Sequence, residues 1–240
     1  MEKRKICKKN SSIFLMMLGL LVVLLFGCAK SADAATLAKY KGYTYTTVVQ
    51  GSYGREKTTI YRRKGNGKRQ KVVTFTGAVQ RAGYGYDNKL YYMREWAASV
   101  PRFCAIECLD LRTKRRSTIK RDVYLIAQRG RYVIGVSSPE IPSTMYVINV
   151  KTKKARIISR KAVFADTIAS GGRIYYAENI NNGGWGKKTI RVYSCKANGT
   201  GKRVVVRNIR KVARVISITN KSIVYSRYTN GQERKYRYYW

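Results

Sequence analysis

Carboxylates are the first candidates for catalytic chemistry in this sequence, because it contains no histidine. Glycoside hydrolysis uses paired Asp and Glu side chains, and ten such residues follow position 34. They are Glu56, Asp87, Glu95, Glu107, Asp110, Asp122, Glu140, Asp166, Glu178 and Glu233. Most of them fall in turn-like segments or beside basic residues, which favours a turn-forming or ion-pairing role. Asp166 and Glu178 are the exceptions, because both fall in or beside strand-like segments of one stretch of chain.

The residue types for other catalytic and metal-binding arrangements are missing. Without histidine the chain can form neither a Ser-His-Asp or Cys-His site nor a metal site built on imidazole. No glycine-rich phosphate loop joins a strand to a helix. We therefore predict that the protein uses no cofactor or metal and is not an enzyme.

Three cysteines follow the amino-terminal segment. Cys104 and Cys108 lie four residues apart in a strand-like stretch, so they share a face at about 13 Å, too far apart for a disulfide. With Cys195 the number is odd. We predict three buried thiols that pack as small apolar side chains.

Basic side chains offer a second kind of chemistry, the binding of phosphates and carboxylates. Four similar turns carry a Gly or Thr before a basic pair, at spacings of 46, 39 and 49 residues. Their cations are Lys68, Arg69, Lys114, Arg115, Arg116, Lys153, Lys154, Lys202 and Arg203. Lys and Arg bind polyanions by displacing counterions, with an affinity that falls as salt rises. For any one turn taken alone, an ordinary solvated hairpin is the alternative.

The overall charge favours the anion-binding interpretation. The chain carries 50 Lys and Arg residues against 12 Asp and Glu, of which six and two lie in the first 34 residues. The remainder has a net charge of +34, more than solubility requires. We expect an anionic envelope polymer or a phospholipid surface as partner, with another protein as a further candidate and no intracellular nucleic acid.

The amino terminus is typical of an export signal. A basic segment precedes the apolar run from Ile13 to Phe26, which is too short to span a bilayer comfortably, and Ala32-Asp33-Ala34 fits a cleavage site. We predict a signal peptide over 1–34 that forms a helix. A lipoprotein signal over 1–27, leaving Cys28 lipidated, and an uncleaved anchor are the alternatives. Each places the folded part outside the cytoplasm, either secreted or attached to the cell surface.

The segments that would position the basic turns also recur. "NKLYYMRE", "GRYVIGVS", "GRIYYAEN" and "KSIVYSRY" align on Tyr92, Ile134, Tyr176 and Tyr225, at spacings of 42, 42 and 49 residues. About four short strands in each 40–45 residues, repeated with the same chemistry, are typical of a β-propeller blade. We predict an all-β propeller over 36–240 with about five four-stranded repeats.

Some of these repeats are incomplete. Segments 77–120, 121–160 and 161–207 contain four strands each, whereas 36–76 has no obvious first strand and 208–240 ends at its third. A five-bladed ring with two incomplete blades, a blade completed by a terminal strand, and an open array with unpaired edges all remain possible from the sequence.

The repeats also resemble those of a known family. "IYYAE" (174–178), followed by "IRVYSCKANGTGKRVVV", is similar to the low-density-lipoprotein-receptor-type propeller repeat and to bacterial exported proteins related to it. Tyr175-Tyr176-Ala177-Glu178 stands where that repeat has a Tyr-Trp-Thr-Asp-like strand, and Asn198 to Lys202 matches its turn. Arg94 departs from the pattern, since an acid is expected there. The resemblance implies a propeller and an extracellular interaction role.

Two main functional hypotheses follow. The first is an exported, non-enzymatic protein that associates with anionic envelope polymers or membrane through its basic turns. The second is an interaction or sensory ectodomain that uses the propeller face. Trp185, at the tip of a glycine-rich hairpin, would suit a sugar or a partner protein if it is exposed, and a buried Trp185 is the equal alternative. A propeller-type glycan hydrolase using Asp166 and Glu178 is a third.

Overall fold

A computed structural model describes residues 34–240 apart from 53, 97–102, 139–142, 169–171 and 185. The predicted signal helix and Cys28 lie outside the described residues, as do Glu140 and Trp185. The described chain forms one compact unit, Ala34–Trp240. Within it, no helix is long and apolar enough to cross a bilayer.

The described residues fold into eighteen β-strands, which confirms the prediction of an all-β chain. Unit 1 contains β1 (Ala35–Tyr40), β2 (Tyr43–Gln50), β3 (Lys57–Lys64) and β4 (Gln70–Thr76). Unit 2 contains β5 (Ala78–Tyr86), β6 (Lys89–Trp96), β7 (Phe103–Asp110) and β8 (Arg116–Arg121). Units 3 and 4 contain β9 (Tyr124–Arg129), β10 (Tyr132–Val136), β11 (Ser143–Asn149), β12 (Ala155–Ile168), β13 (Arg173–Asn179), β14 (Lys188–Lys196) and β15 (Arg203–Val212). Unit 5 contains β16 (Arg214–Ile218), β17 (Ser222–Thr229) and β18 (Gln232–Tyr239).

Strand β12 serves two units at once. Its first half pairs with β11 and its second half with β13, so Ala162 faces both Ser143 and Glu178. Units 3 and 4 therefore form one continuous seven-stranded sheet, in which β12 is the outermost strand of unit 3 and the innermost of unit 4. Every strand pair is antiparallel and joins strands that are consecutive in sequence. A terminal strand that crosses over to complete another unit, one of the three predicted possibilities, does not occur among the described strands.

Two-residue turns set the register of the hairpins. Asp87 and Asn88 have φ values of 52° and 57°, and Asn230 and Gly231 have 52° and 75°. Positive φ at both central residues is the type I′ geometry, whose twist matches that of paired strands. Lys41-Gly42 adopts the same turn and fixes β1, the first strand that was not obvious from the sequence.

Successive units pack face to face in chain order, and an apolar core fills each interface. Tyr45, Ile60 and Phe75 of unit 1 meet Leu90 and Tyr92 of unit 2. Equivalent clusters join units 2 and 3, units 3 and 4, and units 4 and 5. Tyr92 and Tyr176 are fully buried and stack on Phe75 and Tyr193 at 5.8 Å between ring centroids. Burial of each large apolar side chain contributes about 1.5–3 kcal/mol.

Backbone hydrogen bonds correct one detail of the repeat alignment. In units 2 to 4 the residue after the third strand donates its N–H to the hairpin of the first two strands: Leu111 to Asn88 O (2.9 Å), Val150 to Arg131 O (2.8 Å) and Ala197 to Gly172 O (2.8 Å). Counting four residues on from each acceptor gives Tyr92, Gly135 and Tyr176. The predicted alignment on Ile134 was wrong by one residue, which places that side chain on the opposite face.

The outer faces of the first and last units are polar. The N–H of Trp240 donates to Lys221 O at 3.0 Å, so Trp240 of unit 5 is equivalent to Leu111 of unit 2. Counting back from these two residues aligns the third strand of unit 2 with the third strand of unit 5. The buried set Cys104, Ile106 and Cys108 corresponds to Glu233, Lys235 and Arg237. The uncovered face of unit 1 carries threonines, including Thr59 and Thr74, whose hydroxyls lie 2.9 Å apart. Polar outer faces cap the ends of repeat arrays, and no extensive contact joins units 1 and 5 among the described strands. The array is therefore open between them.

Candidate anion-binding rim

The four basic turns join the third and fourth strands of units 1 to 4, and we call this set of turns the rim. They span 65–69, 111–115, 150–154 and 197–202. Because the bonds from Leu111, Val150 and Ala197 tie three of them to the hairpins of the first two strands, both hairpins of a unit lie at the same end. An antiparallel four-strand meander requires this arrangement.

Side-chain capping holds two of the turns in the same shape. Asp110 Oδ1 accepts the N–H groups of Arg112 (2.9 Å) and Thr113 (2.8 Å), and Asn149 Oδ1 accepts those of Lys151 (3.0 Å) and Thr152 (3.4 Å). The Thr113 N–H is the main reason why the pKa of Asp110 is lowered. The next lysine in each turn is left-handed, with φ of 61° at Lys114 and 57° at Lys153. Such Asx turns reduce the freedom of the loop.

The rim turns of units 2 to 4 lie on the same side of the array, because each lies against the unit before it. Lys153 Nζ donates to Thr118 O of unit 2 at 3.1 Å, and Lys151 Nζ lies 3.5 Å from Asp87 Oδ2 of the same unit. A Cβ on Gly199 would lie only 2.8 Å from Ile158 Cγ2 of unit 3. In unit 2, burial is the largest cause that lowers the pKa of Lys114, and the nearby Arg62 guanidinium of unit 1 is the second. The turns thus form a continuous edge rather than separate patches.

Two of the nine predicted rim cations already pair with a carboxylate of their own unit. Arg116 Nη1 lies 3.3 Å from Glu107 Oε2, with its guanidinium 4.3 Å from the Phe75 ring. Lys202 Nζ lies 2.6 Å from Glu178 Oε1 and 4.0 Å from the Tyr193 ring centroid. Each therefore has a countercharge within the protein, although the Arg116 and Lys202 side chains are still 32% and 40% exposed.

Four more of the nine are held by local contacts but remain at the surface. Lys114 Nζ donates to Leu111 O, Lys153 donates to Thr118 O, Arg203 Nε donates to Ser194 Oγ at 3.2 Å, and Arg69 stacks 3.7 Å from the Tyr61 ring. For Lys68, Arg115 and Lys154 the described residues offer no side-chain partner, and all three are exposed. These three are the cations most available to a ligand.

The sequence did not single out several cations that share this end of the fold. Arg173 Nη2 donates to Gly201 O and to Ser194 Oγ, both at 3.0 Å, beside Arg203. Lys41 Nζ donates to Asn88 Oδ1 at 2.5 Å, between units 1 and 2. These residues lie at or beside the hairpins of the first two strands. Because both hairpins of a four-strand meander lie at the same end, basic residues in the first hairpin could have been predicted to join the rim.

Several of the carboxylates are engaged by cations. Glu107 Oε1 also pairs with Arg94 Nη2 at 2.7 Å, and Glu233 pairs with Arg214 Nε at 2.8 Å. Register places Asp166 opposite Tyr175, while Glu178, three residues further along β13, lies on the other face of that strand and binds Lys202. The described contacts of Glu178 are therefore those of an ion pair within unit 4.

The three thiols are buried and unpaired, as predicted. Burial is the largest cause that raises the pKa of Cys104 and of Cys195, each to about 11. The Cys108 sulfur lies 3.1 Å from Ser117 Oγ. Thiols with raised pKa values are poor nucleophiles, so Cys104 and Cys195 act through packing.

Comparison with known proteins identifies the architecture. No family model matches this chain, and no curated protein matches it by sequence. An oligogalacturonate lyase in complex with manganese superimposes with a TM-score of 0.55 at 13% identity, covering 82% of this chain and 62% of the lyase. The β-propeller domain of the trilobed protease from Pyrococcus furiosus gives 0.55 at 12% identity, covering 87% and 69%. The acylaminoacyl peptidase of Pyrococcus horikoshii gives 0.54 at 14% identity, covering 87% of this chain and 38% of the peptidase.

These similarities correct one prediction. The sequence analysis predicted that the protein is not an enzyme, and the similar structures contradict this because a lyase and a peptidase share the fold. The absence of histidine excludes particular sites but not enzymatic activity in this architecture. The chain spans less than two thirds of the length of the lyase. What the comparisons establish at these identities is the fold: the chain is a β-propeller.

Proposed function

We propose that this chain is an exported protein that binds anionic polymers of the cell envelope, or the anionic surface of a membrane, through the rim. The observation that carries the proposal is the alignment of four basic turns along one side, with Lys68, Arg115 and Lys154 exposed and without side-chain partners among the described residues. Anionic groups that follow the rim would meet cations from unit after unit.

The charge balance supports an external anion. After residue 34 the chain holds 44 basic and 10 acidic residues, and several of the acids are already neutralised inside the fold, such as Glu107 between Arg94 and Arg116. Most surface cations therefore have no countercharge within the protein. A polyanion would supply that charge and release its own counterions, which favours binding at low salt.

The stiffness of the turns also supports binding. Asp110 and Asn149 cap their turns, and the lysines that follow have fixed left-handed conformations. Rigid turns lose little conformational entropy when a ligand binds. The rim would consequently recognise repeated phosphate or carboxylate groups by their spacing and charge.

Binding at graded salt concentrations tests the proposal. The probes are purified polyglycerol-phosphate teichoic acid, vesicles of phosphatidylglycerol and vesicles of phosphatidylcholine. We expect binding to the first two and none to the third, and the two anionic probes distinguish a polymer from a lipid headgroup as the source of the phosphate. Affinity for teichoic acid that is unchanged at ~0.5 M salt contradicts the electrostatic mechanism.

Matched charge variants locate the site. The rim variant combines Lys68→Gln, Arg115→Gln and Lys154→Gln. The control combines Arg160→Gln, Lys161→Gln and Arg210→Gln, which remove the same charge from exposed positions at the opposite end of units 3 and 4. We expect the rim variant to lower the slope of log K against log salt by about 2, since each lost phosphate contact contributes ~0.7, and the control to retain it. Equal losses in both variants would show diffuse attraction and not a rim site.

A further inference from the structure

Strand β18 is an outer edge of unusual regularity. It pairs with β17 over eight residue pairs, from Ser222–Tyr239 to Thr229–Gln232, without a register shift. The outermost pairings of units 1 to 4 all contain such shifts. Bulges twist an edge and prevent another strand from adding to it. Of the strands that lie outermost in their units, β18 alone keeps a straight, open edge among the described residues.

The hairpin geometry shows which backbone groups lie on that edge. The turn at Asn230-Gly231 makes Thr229 and Gln232 a hydrogen-bonded pair, and such pairs alternate along the strand. The N–H of Trp240 donates to Lys221 O at 3.0 Å, in agreement with this alternation. Even-numbered residues of β18 therefore bond to β17. Glu233, Lys235, Arg237 and Tyr239 direct their N–H and C=O groups outward.

The side chains of β18 determine which strand could pair there. Arg234, Lys235 and Arg237 are exposed, and the one acid, Glu233, is paired with Arg214 at 2.8 Å. Two copies of this strand would place cations beside cations, which destabilises cross-strand pairing. A strand with acidic side chains would place opposite charges there instead. Tyr238 and Tyr239, 46% and 66% exposed, provide ring surface for the apolar residues of such a strand.

Unit 5 also has room for a further strand. Units 1 to 4 each contain four strands, whereas the described part of unit 5 contains three. In units 1, 2 and 4 the fourth strand contributes Phe75, Ile119 or Val206 to the core that faces the next unit. The outer face of unit 5 is polar, and among the described strands none packs extensively against it. An added strand would thus need only the edge hydrogen bonds and charge pairing.

We propose that β18 accepts an extended acidic peptide segment of another protein as the fourth strand of unit 5. Main-chain hydrogen bonds to the outward groups of Glu233, Lys235, Arg237 and Tyr239 supply affinity, and the cations select acidic sequences, the usual division of roles in strand addition. This site does not use Lys68, Arg115 or Lys154, so it stands or fails independently of the rim.

The test uses a peptide of eight residues, the length of β18, alternating Glu and Val with acetyl and amide ends. One comparison peptide is N-methylated at alternate residues, which keeps its charge but removes the donors of one edge, and another replaces Glu with Lys. Isothermal titration with the full chain should show binding of the first peptide alone. Equal binding of the N-methylated peptide would overturn strand addition, because charge would then suffice.

Two substitutions at one position separate hydrogen bonding from charge in the protein. Lys235→Ala and Lys235→Pro remove the same charge, but only the proline removes the outward N–H, at an edge position where proline does not disturb the pairing with β17. We expect Lys235→Pro to bind about tenfold more weakly than Lys235→Ala, the effect of about one hydrogen bond. Equal affinities would contradict the proposal.

Two further measurements complete the design. Far-ultraviolet circular dichroism verifies that both variants fold. If Lys235→Pro does not fold, the N-methylated peptide still tests strand addition on the unaltered protein. The rim variant should bind the acidic peptide as the unaltered protein does, while losing teichoic acid. Sedimentation of the free protein should show a monomer; a dimer that Lys235→Pro dissociates would show that a second copy occupies the edge, against the proposal.

Discussion

Arg116 and Lys202 occupy equivalent positions in units 2 and 4, and each directs its charge to a carboxylate of its own unit. Arg116 Nη1 lies 3.3 Å from Glu107 Oε2, and Lys202 Nζ lies 2.6 Å from Glu178 Oε1. Arg116 is in the fourth strand of unit 2, near the buried Tyr92. Lys202 is in the turn before the fourth strand of unit 4, near the buried Tyr176. The carboxylate comes from the third strand in unit 2 but from the second in unit 4. The pairing is thus preserved although its acid has changed strands.

Glu107→Gln should destabilise the protein substantially. The Glu107 side chain is only 4% exposed and lies between Arg94 and Arg116, so glutamine leaves two partly buried guanidinium groups without a countercharge. We expect a loss of about 2–3 kcal/mol in the free energy of unfolding, measured by urea denaturation.

Glu233→Gln provides the matched control for that substitution. It removes the acid of the Arg214 pair, whose side chains are 52% and 30% exposed, and exposed pairs contribute little to stability because water screens them. If the two substitutions lower the free energy of unfolding equally, burial of Glu107 is not what makes its ion pairs important.

Cys195 should make stability depend on pH in the alkaline range. Burial raises the pKa of its thiol to about 11 from an ordinary value of 9.0. The unfolded chain therefore loses this proton first as pH rises, and the stabilisation present below pH 9 disappears as pH passes through the folded pKa.

The variant Cys195→Ala isolates that contribution from other titrating groups. We expect the difference in free energy of unfolding between the unaltered protein and the variant to shrink as pH rises from 9 to about 11, as linkage requires for a raised thiol pKa. Urea denaturation at pH 8, 9, 10 and 11 measures it. A difference that stays constant over this range would show that the thiol titrates normally in the folded protein.

Gly135→Ala should be strongly destabilising despite the small change. A Cβ at this position would lie 2.2 Å from Val123 Cγ1 and 3.3 Å from Ile106 Cδ1 of unit 2, so the interface with unit 2 would have to open. We expect a cost of about 1–3 kcal/mol, as for other overpacked cores, measured as a lower urea midpoint. Gly184→Ala is the control, since nothing lies within 4 Å of its Cβ and its midpoint should stay nearly unchanged.

Much of the fold could be predicted because its signals are local. Alternating apolar residues and turns such as Asp87-Asn88 and Asn230-Gly231 repeat at a constant period, and these specified an all-β propeller of about five units. The one-residue error at Ile134 arose because unit 3 has Gly135 where other units have tyrosine. A sequence alignment follows side-chain type, whereas the register is set by backbone hydrogen bonds.

The candidate site was predicted less completely. The nine cations were identified by type and position, yet whether a cation is exposed depends on residues that are distant in sequence. Arg116 meets Phe75 of the preceding unit, 41 positions earlier, and Lys202 meets Glu178 across two strand pairings. No pattern within a turn distinguishes these from Lys68 or Lys154.

The sequence by itself determined the strands, the turns and the excess of positive charge, because these follow from the period of side chains along the chain and from simple composition. Only the tertiary structure decided which cations face solvent, which faces end the array and which strand edge stays open. Those properties depend on what packs against a residue from another unit, and contacts across units leave no regular spacing in the sequence.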